Sequence, residues 1–321
     1  MTLAKAKLMF EEFMDACEYD YTLSSETVSF YRNKIERFLA WLEEQGVQDV
    51  DAGAIRSFFR WLKDRGVNET TRHTYYRALR RFFRFLKKRK LIDSSPLEEA
   101  DIEIRPPQRR PELPTREAML DFVRALRRDI FPPGKKEPDF IRLRDCCLVL
   151  FLLETGARRR EALIKVSDLR LDLGHAVTTP KVRDQEKRFL YFHSIKGLLK
   201  LYLEERAKLL ASLGKEDEEA LWITRTGEPV TPQIMNNIFR AIRKRYGWQG
   251  RFHPHLLRAY SATLSSLLGD RTALELRMGW KPNSIVARRY IQWGQEEEFI
   301  SDIQKNLSPL KILGIIARRH A

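Results

Sequence analysis

The segment Thr155-Gly-Ala-Arg158-Arg-Arg-Glu161-Ala-Leu is the part of this 321-residue chain from which its organisation can be worked out. An apolar helical run at residues 139–153 precedes it, and Thr155-Gly156 predicts a turn. After the turn, a further helix is expected through residue 163. Arg158 and Glu161 taken alone could be an ordinary surface pair three residues apart. The surrounding sequence decides between that interpretation and a functional site.

A β-hairpin is predicted after this segment. Residues 176–182 and 188–192 read as strands, joined by the polar Arg183-Asp-Gln-Glu. A short strand is expected at residues 221–224, and Thr231-Pro232 has the cap and first-turn proline of another helix. The second part of the chain is therefore predicted to mix helices with a few strands.

Only helices are expected before residue 100. Ser24, residues 52–64 and Asn68 mark three of them, and the third should run to about residue 90. Residues 102–113 are rich in proline and lack an amphipathic period, which is typical of an extended linker. We therefore predict a mainly α protein with a small β-hairpin or sheet. It would consist of a helical domain at residues 1–101, a linker at 102–113, and an α+β domain at 114–321.

The positive charge is concentrated in the helical domain. The chain has a net charge of +15, and residues 56–90 carry thirteen Lys or Arg against two acids. The third predicted helix has one apolar face and one basic face, which favours contact with nucleic acid phosphates. A solvated surface is the alternative, but such faces usually contain Glu as well. The candidate phosphate contacts are Arg77, Arg80, Arg81, Arg84, Lys87 and Lys88.

The cysteines and the hydropathy pattern favour a cytoplasmic protein. Three cysteines, two of them adjacent in an apolar run, do not form a disulfide framework or a metal-binding spacing. Acidic residues interrupt the N-terminal region, so no signal peptide is expected. The longest apolar run, residues 146–153, is too short to cross a bilayer.

Four further features follow the opening segment along the chain. They are a lysine in the predicted hairpin, a His-x-x-Arg box, a tryptophan, and a tyrosine ten residues after it. The residues concerned are Lys181, His253-Pro-His255-Leu-Leu-Arg258, Trp280 and Tyr290. Each is ordinary alone, but their order and spacing are not.

These residues, in this order, resemble the catalytic domain of tyrosine recombinases, the family of phage integrases, Xer recombinases and Cre. The resemblance covers nearly the whole chain, and it implies a SAM-like core-binding domain before the α+β catalytic domain. It implies that Tyr290 is the nucleophile and that Glu161 supports the site. The other catalytic positions that it implies are Arg158, Lys181, His255, Arg258 and Trp280. Ala162 and Ala259-Tyr260 depart from the usual pattern and put local packing in doubt.

The chemistry of these residue types fits such an enzyme. Attack on a phosphodiester adds negative charge to two non-bridging oxygens, which two guanidiniums can bind bidentately. The tyrosine would form a 3′-phosphotyrosyl intermediate, and the lysine would protonate the leaving oxygen. No metal or cofactor is expected, because the cationic side chains supply the electrostatic stabilisation. The rival candidates are His253 for the histidine, Lys187 for the lysine and Tyr260 for the nucleophile.

A helix and the C-terminal segment are the candidates for recognition and assembly. Gln233, Asn236, Asn237 and Arg240 can read base edges in a major groove, although they could also face solvent. The partner would be double-stranded DNA, bound by a homodimer on one site and a tetramer in synapsis. Residues 307–321 would dock on a neighbouring subunit or fold back onto their own subunit.

Two other functions use the same features. A type IB topoisomerase-like enzyme would relax supercoils with the same residues. A DNA-binding protein without catalysis would keep the fold and form no covalent adduct.

Overall fold

The computed structural model describes residues 1–105, 112–178, 188–266 and 270–294. Residues 292–294 are described by their backbone only. The chain divides into two compact units, Met1–Arg109 and Arg110–Ala321. This division falls inside the predicted linker at 102–113, half of which lies outside the described residues. The predicted domain bounds remain a prediction.

The described part of the first unit is helical. Its main helices begin with side-chain caps, because Ser24, Asp51 and Asn68 each accept a hydrogen bond from the backbone N–H three residues later. The three predicted helices are confirmed. A π-helical turn at Ala16–Asp20 follows the first helix. The helices are α1 (Leu3–Asp15), α2 (Ser25–Glu44), α3 (Ala52–Asp64), α4 (Glu69–Lys88) and α5 (Pro96–Glu99).

Helix α4 has the two faces that its sequence predicts. Leu79, Phe82 and Leu86 are buried, and Tyr75 is half-buried. Phe82 meets Phe13 of α1 with ring centroids 5.5 Å apart. Aromatic side chains bury large apolar areas, so this contact fixes which face of α4 turns inward. The opposite, basic face is thereby directed to solvent.

The second unit surrounds a buried helix with further helices and a small sheet. Helix α7 is buried on nearly all sides and ends at Gly156, whose φ of 59° is a left-handed conformation. Among the described residues, three antiparallel strands form a sheet in the order β1-β2-β3, with Ala176 opposite Leu190. The helices are α6 (Arg116–Arg128), α7 (Phe140–Thr155), α8 (Lys196–Leu213), α9 (Pro232–Arg245), α10 (Pro254–Ser266), α11 (Arg271–Met278) and α12 (Ile285–Gly294), and the strands are β1 (Leu169–Arg170), β2 (His175–Thr178) and β3 (Arg188–Tyr191).

The predicted fold class, mainly α with a small sheet, is confirmed, and so is the helix capped by Thr231. Two predictions are wrong. The helix expected through residue 163 is a series of turns, because the Glu161 carboxylate accepts the Arg158 backbone N–H and closes the chain on itself. Residues 221–224 form no regular strand: Ile223 makes an isolated bridge with Pro229, and the Tyr202 hydroxyl takes up the Leu221 carbonyl and the Ile223 N–H, which a neighbouring strand would otherwise bond. Within the described ranges, none of the helices combines the length and apolar character that crossing a membrane requires.

Candidate active site

The predicted arginine of the His-x-x-Arg box is buried against two helix ends. The Arg258 side chain is 5% exposed, and its two terminal nitrogens donate to the Gly156 carbonyl and, at 2.6 Å, to the Met278 carbonyl. Gly156 caps the C-terminus of α7, and Met278 is the last residue of α11. Carbonyls at helix C-termini carry partial negative charge and no intrahelical partner, so they stabilise a buried guanidinium.

The glycine at this junction is favoured by its backbone conformation, and it also packs closely against neighbouring side chains. A Cβ on Gly156 would lie 2.9 Å from the Met278 Sδ and 3.2 Å from the Ser261 hydroxyl. Its left-handed φ would in addition strain a larger residue. A side chain here would force the buried Met278 side chain to move, and the Met278 carbonyl is one of the two that hold Arg258.

The turn after Gly156 holds the first predicted arginine. Arg158 donates to Glu161 at 2.5 Å from its guanidinium and at 2.7 Å from its backbone. It also reaches the Gly279 carbonyl at 3.4 Å. The Arg158 side chain is 49% exposed, whereas Glu161 is largely buried. Arg158 is therefore held by the largely buried Glu161 carboxylate, while part of its guanidinium remains accessible from solvent.

Glu161 is the shared anchor of the cationic site. Burial acts to raise the pKa of its carboxyl, but Arg188 and Arg158 outweigh burial and hold that pKa below its usual range. A guanidinium nitrogen of Arg258 lies 4.0 Å away. Among the described residues, three guanidiniums thus surround one carboxylate. The cluster retains an excess of positive charge, which suits binding of an anion.

The charges of the cluster also act on each other. Burial first, and then repulsion by Arg158 and Arg188, lowers the pKa of the Arg258 guanidinium to about 9. A phosphate placed among these guanidiniums would raise that pKa again, because its negative charge favours the charged form of Arg258. The cluster of guanidiniums therefore favours binding of an anion.

The two histidines before Arg258 have different surroundings. The His253 ring accepts the Leu256 backbone N–H through Nδ1 at 3.1 Å, so it caps the start of α10. His255 stands one turn before Arg258 and has an exposed edge. Burial, followed by the charges of Arg258, His253 and Arg158, lowers the pKa of His255. This geometry supports His255 over His253 as the catalytic histidine, which remains a prediction.

The predicted nucleophile lies against the predicted tryptophan. The rings of Tyr290 and Trp280 stack at 5.4 Å and 17°, and the Arg258 guanidinium lies 5.7 Å from the centre of the Trp280 ring. Tyr290 is 7% exposed. Burial raises the pKa of its phenol, and nearby Arg258 acts against that rise. The rival Tyr260 is buried in the larger core of the unit, separate from this cluster.

The described residues bring together most of the predicted catalytic set. Arg158, Glu161, Arg258, Trp280 and Tyr290 form one contact network, and His255 lies on the helix that carries Arg258. Lys181 and its rival Lys187 lie outside the described residues, as do residues 307–321. Arg188, which no motif in the sequence marks, also belongs to this site and forms an ion pair with Glu161.

The predicted DNA contacts are mostly exposed. On α4, Arg81 is the partly buried member and lies over the Tyr21 ring, 4.8 Å from its centre. Lys87 pairs with Glu98 at 3.0 Å. On α9, the carbonyl oxygen of Asn236 accepts from Arg159 at 3.1 Å, and that of Asn237 accepts from Arg240 at 3.2 Å. The exposed members are Arg77, Arg80, Arg84, Lys87, Lys88, Gln233, Asn237 and Arg240.

Both units match known protein families in sequence. Residues 10–90 match the phage integrase N-terminal SAM-like domain, and residues 134–297 match the phage integrase family. Tyrosine recombinase XerC of Bacillus licheniformis is 27% identical over 268 residues, which cover 81% of this chain and 84% of the relative. Tyrosine recombinase XerD of Chlorobaculum tepidum is 26% identical over 306 residues, which cover 93% and 95%.

Solved structures share the fold at lower identity. The XerH site-specific recombinase bound to palindromic difH substrate, in a post-cleavage complex, has a TM-score of 0.66 and 18% identity, and the match covers 92% of this chain and 83% of that one. A lambda integrase dimer bound to a COC′ core site has a TM-score of 0.65 and 18% identity, with 92% and 98% covered.

The fold and the site together define a class of enzyme that cleaves and rejoins DNA. A helical unit precedes a catalytic unit in which clustered guanidiniums lie beside a stacked tyrosine. This chain belongs to the phage integrase family and is a tyrosine recombinase.

Proposed function

We propose that this chain recombines double-stranded DNA at specific sites through a covalent bond between Tyr290 and a 3′-phosphate. The observation that carries this proposal is the position of Tyr290, stacked on Trp280 beside the Arg258 guanidinium. A phenol in that position can attack a phosphate that the guanidiniums hold. The relatives and solved structures are named as recombinases, so the topoisomerase alternative is not favoured.

The reaction is a pair of balanced transesterifications. The Tyr290 oxygen bonds to phosphorus while the bond from phosphorus to the 5′-oxygen breaks; the phenol proton is released to solvent water, and the departing 5′-oxygen gains a proton. Lys181 is the proposed donor of that second proton. A 5′-hydroxyl of the partner strand then attacks the phosphotyrosine and releases the tyrosine. The bond energy is preserved, and no oxidant, nucleotide or water is consumed.

The cationic residues would act on the phosphate. Arg158 and Arg258 bind its non-bridging oxygens, and donors aimed at developing charge each contribute about 3 to 4 kcal/mol to the rate. His255 and the indole N–H of Trp280 can donate to the same oxygens. The buried anchors of Arg258, and Glu161 beneath Arg158, hold both guanidiniums in place before DNA arrives. Little reorganisation is then needed when charge develops.

A nicked substrate tests the proposal directly. With a nick placed so that the short leaving strand diffuses away, cleavage traps the protein on DNA, and peptide mapping should place the phosphate on Tyr290. Joining of two partner sites, assayed beside relaxation of one supercoiled circle, separates a recombinase from a topoisomerase. Relaxation without any joined product would contradict the proposed function.

The basic face of α4 is predicted to hold phosphates. Replacing Arg77 and Arg84 together with alanine should weaken binding to every DNA sequence alike. Each lost phosphate contact should reduce the slope of log K against log salt concentration by about 0.9. Titration of labelled DNA at several salt concentrations measures this slope. Lys7, which pairs with Glu43 in the same unit, provides a matched control. An equal change of slope in Lys7→Ala would contradict the assignment.

Asn236 is predicted to prefer guanine. An arginine can only donate, so the Asn236 atom that Arg159 contacts is the carbonyl oxygen; one of its two lone pairs is already used, whereas both amide N–H groups remain for DNA. Pairing with adenine needs both amide atoms, whereas guanine offers two acceptors. Selection from randomised sites should give guanine at one position. Its 7-deaza analogue should weaken binding by about 1 to 3 kcal/mol.

The same hydrogen bond gives this prediction its control. Arg159→Met frees the Asn236 carbonyl and should move the preference at that position towards adenine. Arg243→Met removes an exposed charge from α9, the helix that carries Asn236, and should leave the base preference unchanged. A guanine preference that survives Arg159→Met would contradict the role of the Arg159 contact.

Assembly and location complete the proposal. The chain would act in the cytoplasm, as a dimer on each site and a tetramer in synapsis. The similar lambda integrase is a dimer bound to its core site, and the similar XerH recombinase is bound to its difH substrate, which supports a dimer on each DNA site.

The C-terminal segment would provide the contact between subunits. Deletion of residues 307–321 is expected to leave DNA binding and cleavage intact and to remove the synaptic complex. Native gels with one and two labelled sites measure both. Normal synapsis by the truncated chain would show that the segment is dispensable.

A further inference from the structure

Arg188 is a buried cation that the proposed mechanism does not use. It is the first residue of β3, and its side chain is 10% exposed. One terminal nitrogen contacts Glu161, and the other donates to the Arg277 carbonyl at 2.5 Å. Burial is the largest influence on its pKa and lowers it, and the charges of Arg158 and Arg277 act in the same direction. Burying a charged side chain costs folding free energy, so a buried arginine with specific partners is a candidate for a functional role.

The two contacts of Arg188 join separate parts of the site. Glu161 belongs to the turn that anchors Arg158, whereas Arg277 lies at the end of α11, just before Gly279 and Trp280. The planar guanidinium spans both because its two terminal nitrogens point in fixed, different directions. Arg188 therefore links the turn that holds a catalytic arginine to the segment that carries the tryptophan under Tyr290.

The neighbouring glycine shows how closely Arg188 packs against that segment. A Cβ on Gly279 would lie 2.7 Å from both Cδ and Nε of Arg188, and the φ of Gly279 is +60°. The backbone before Trp280 can thus approach Arg188 only because no side chain is present. Arg277 itself donates through its guanidinium to the Glu154 carbonyl at the end of α7. The end of α11 is held from two sides by arginines.

We propose that Arg188 is a positioning residue of this recombinase. It orients Glu161, and hence Arg158, and sets the place of Trp280, without touching the phosphate. This inference rests on the proposed function, since it names what arranges that site. In metal sites, removing a residue that orients a ligand typically costs between about 10- and 100-fold in affinity or activity, and a loss of this order is expected here.

The test is single-turnover cleavage of the nicked substrate at saturating DNA. Arg188→Met should slow adduct formation by about 100-fold, because a misplacement of about 1 Å has that effect, while the Kd for DNA changes little. Arg188→Lys keeps the charge but cannot span both partners, so its rate of adduct formation should fall between those of the wild-type chain and Arg188→Met. A wild-type rate in Arg188→Lys would overturn the requirement for a guanidinium, and this variant decides the matter if Arg188→Met does not fold.

A double variant shows whether Arg188 acts through Glu161. Glu161→Gln should itself be slow, and adding Arg188→Met should then cost little more. Independent sites would instead multiply their losses to within about twofold, and that outcome would overturn the proposal. Arg144→Met is the structural control, because Arg144 is as buried and pairs with Asp145 near the opposite end of α7. It should lower the melting temperature without slowing cleavage.

The outcomes separate this inference from the function it rests on. If the wild-type chain forms no adduct, the proposed function fails. If the wild-type chain forms the adduct and folded Arg188→Met forms it equally fast, only the role of Arg188 fails.

Discussion

Tyr290→Phe is expected to abolish the covalent protein–DNA adduct while leaving DNA binding at the wild-type level. The substitution removes only the attacking oxygen and keeps the ring that stacks on Trp280 at 5.4 Å. Loss of a nucleophile reduces the rate roughly a million-fold in hydrolases where it has been measured. Denaturing gels of the nicked-substrate reaction would show the adduct, and equilibrium titration would show the binding.

Tyr260 provides the matched control for this substitution. It is a buried tyrosine on α10, two residues from Arg258, but it packs in the larger core of the unit. Tyr260→Phe removes the same atom from a similar environment, so it should lose stability of about 1 kcal/mol at most and cleave normally. An adduct that persists in Tyr290→Phe, or that disappears in Tyr260→Phe, would show that the nucleophile has been assigned to the wrong tyrosine.

The sequence predicts best what depends on local spacing. The caps at Asn68 and Thr231 and the two faces of α4 follow from neighbouring residues, and the structure contains them. The fold class follows from the same signals. The choice of His255 over His253 rests on one helical turn before Arg258, and the structure adds the capping role of His253 that supports it.

Contacts distant in sequence are what the sequence could not reveal. Arg188 reaches across 27 positions to Glu161 and 89 positions to Arg277, and no local period marks it. No regular strand forms at residues 221–224 for a similar reason, because the Tyr202 hydroxyl of α8 bonds the Leu221 carbonyl and the Ile223 N–H. The turn at Glu161 shows a side chain overriding a helical pattern. In the last two cases a side-chain polar group took up backbone groups that the regular pattern would have paired.

Arg258→Lys is expected to slow cleavage by about 100- to 1,000-fold, the loss measured when a donor to developing charge is removed. The Arg258 guanidinium bonds the Gly156 and Met278 carbonyls, and it is also the proposed phosphate ligand. A lysine ammonium is a single point of charge and cannot meet both carbonyls and two phosphate oxygens. Single-turnover adduct formation measures the rate, and thermal unfolding measures the stability.

Arg206 separates the chemical loss from the structural one. It is a similarly buried guanidinium that donates to the Glu218 and Ala220 carbonyls, away from the catalytic residues. Arg206→Lys leaves comparable carbonyls without their donor, which costs about 1 to 3 kcal/mol of stability. It should therefore destabilise the protein about as much as Arg258→Lys does, with adduct formation unchanged below its melting temperature. If the two variants slow cleavage equally, Arg258 only supports the fold, and a different cation must hold the phosphate that Tyr290 attacks.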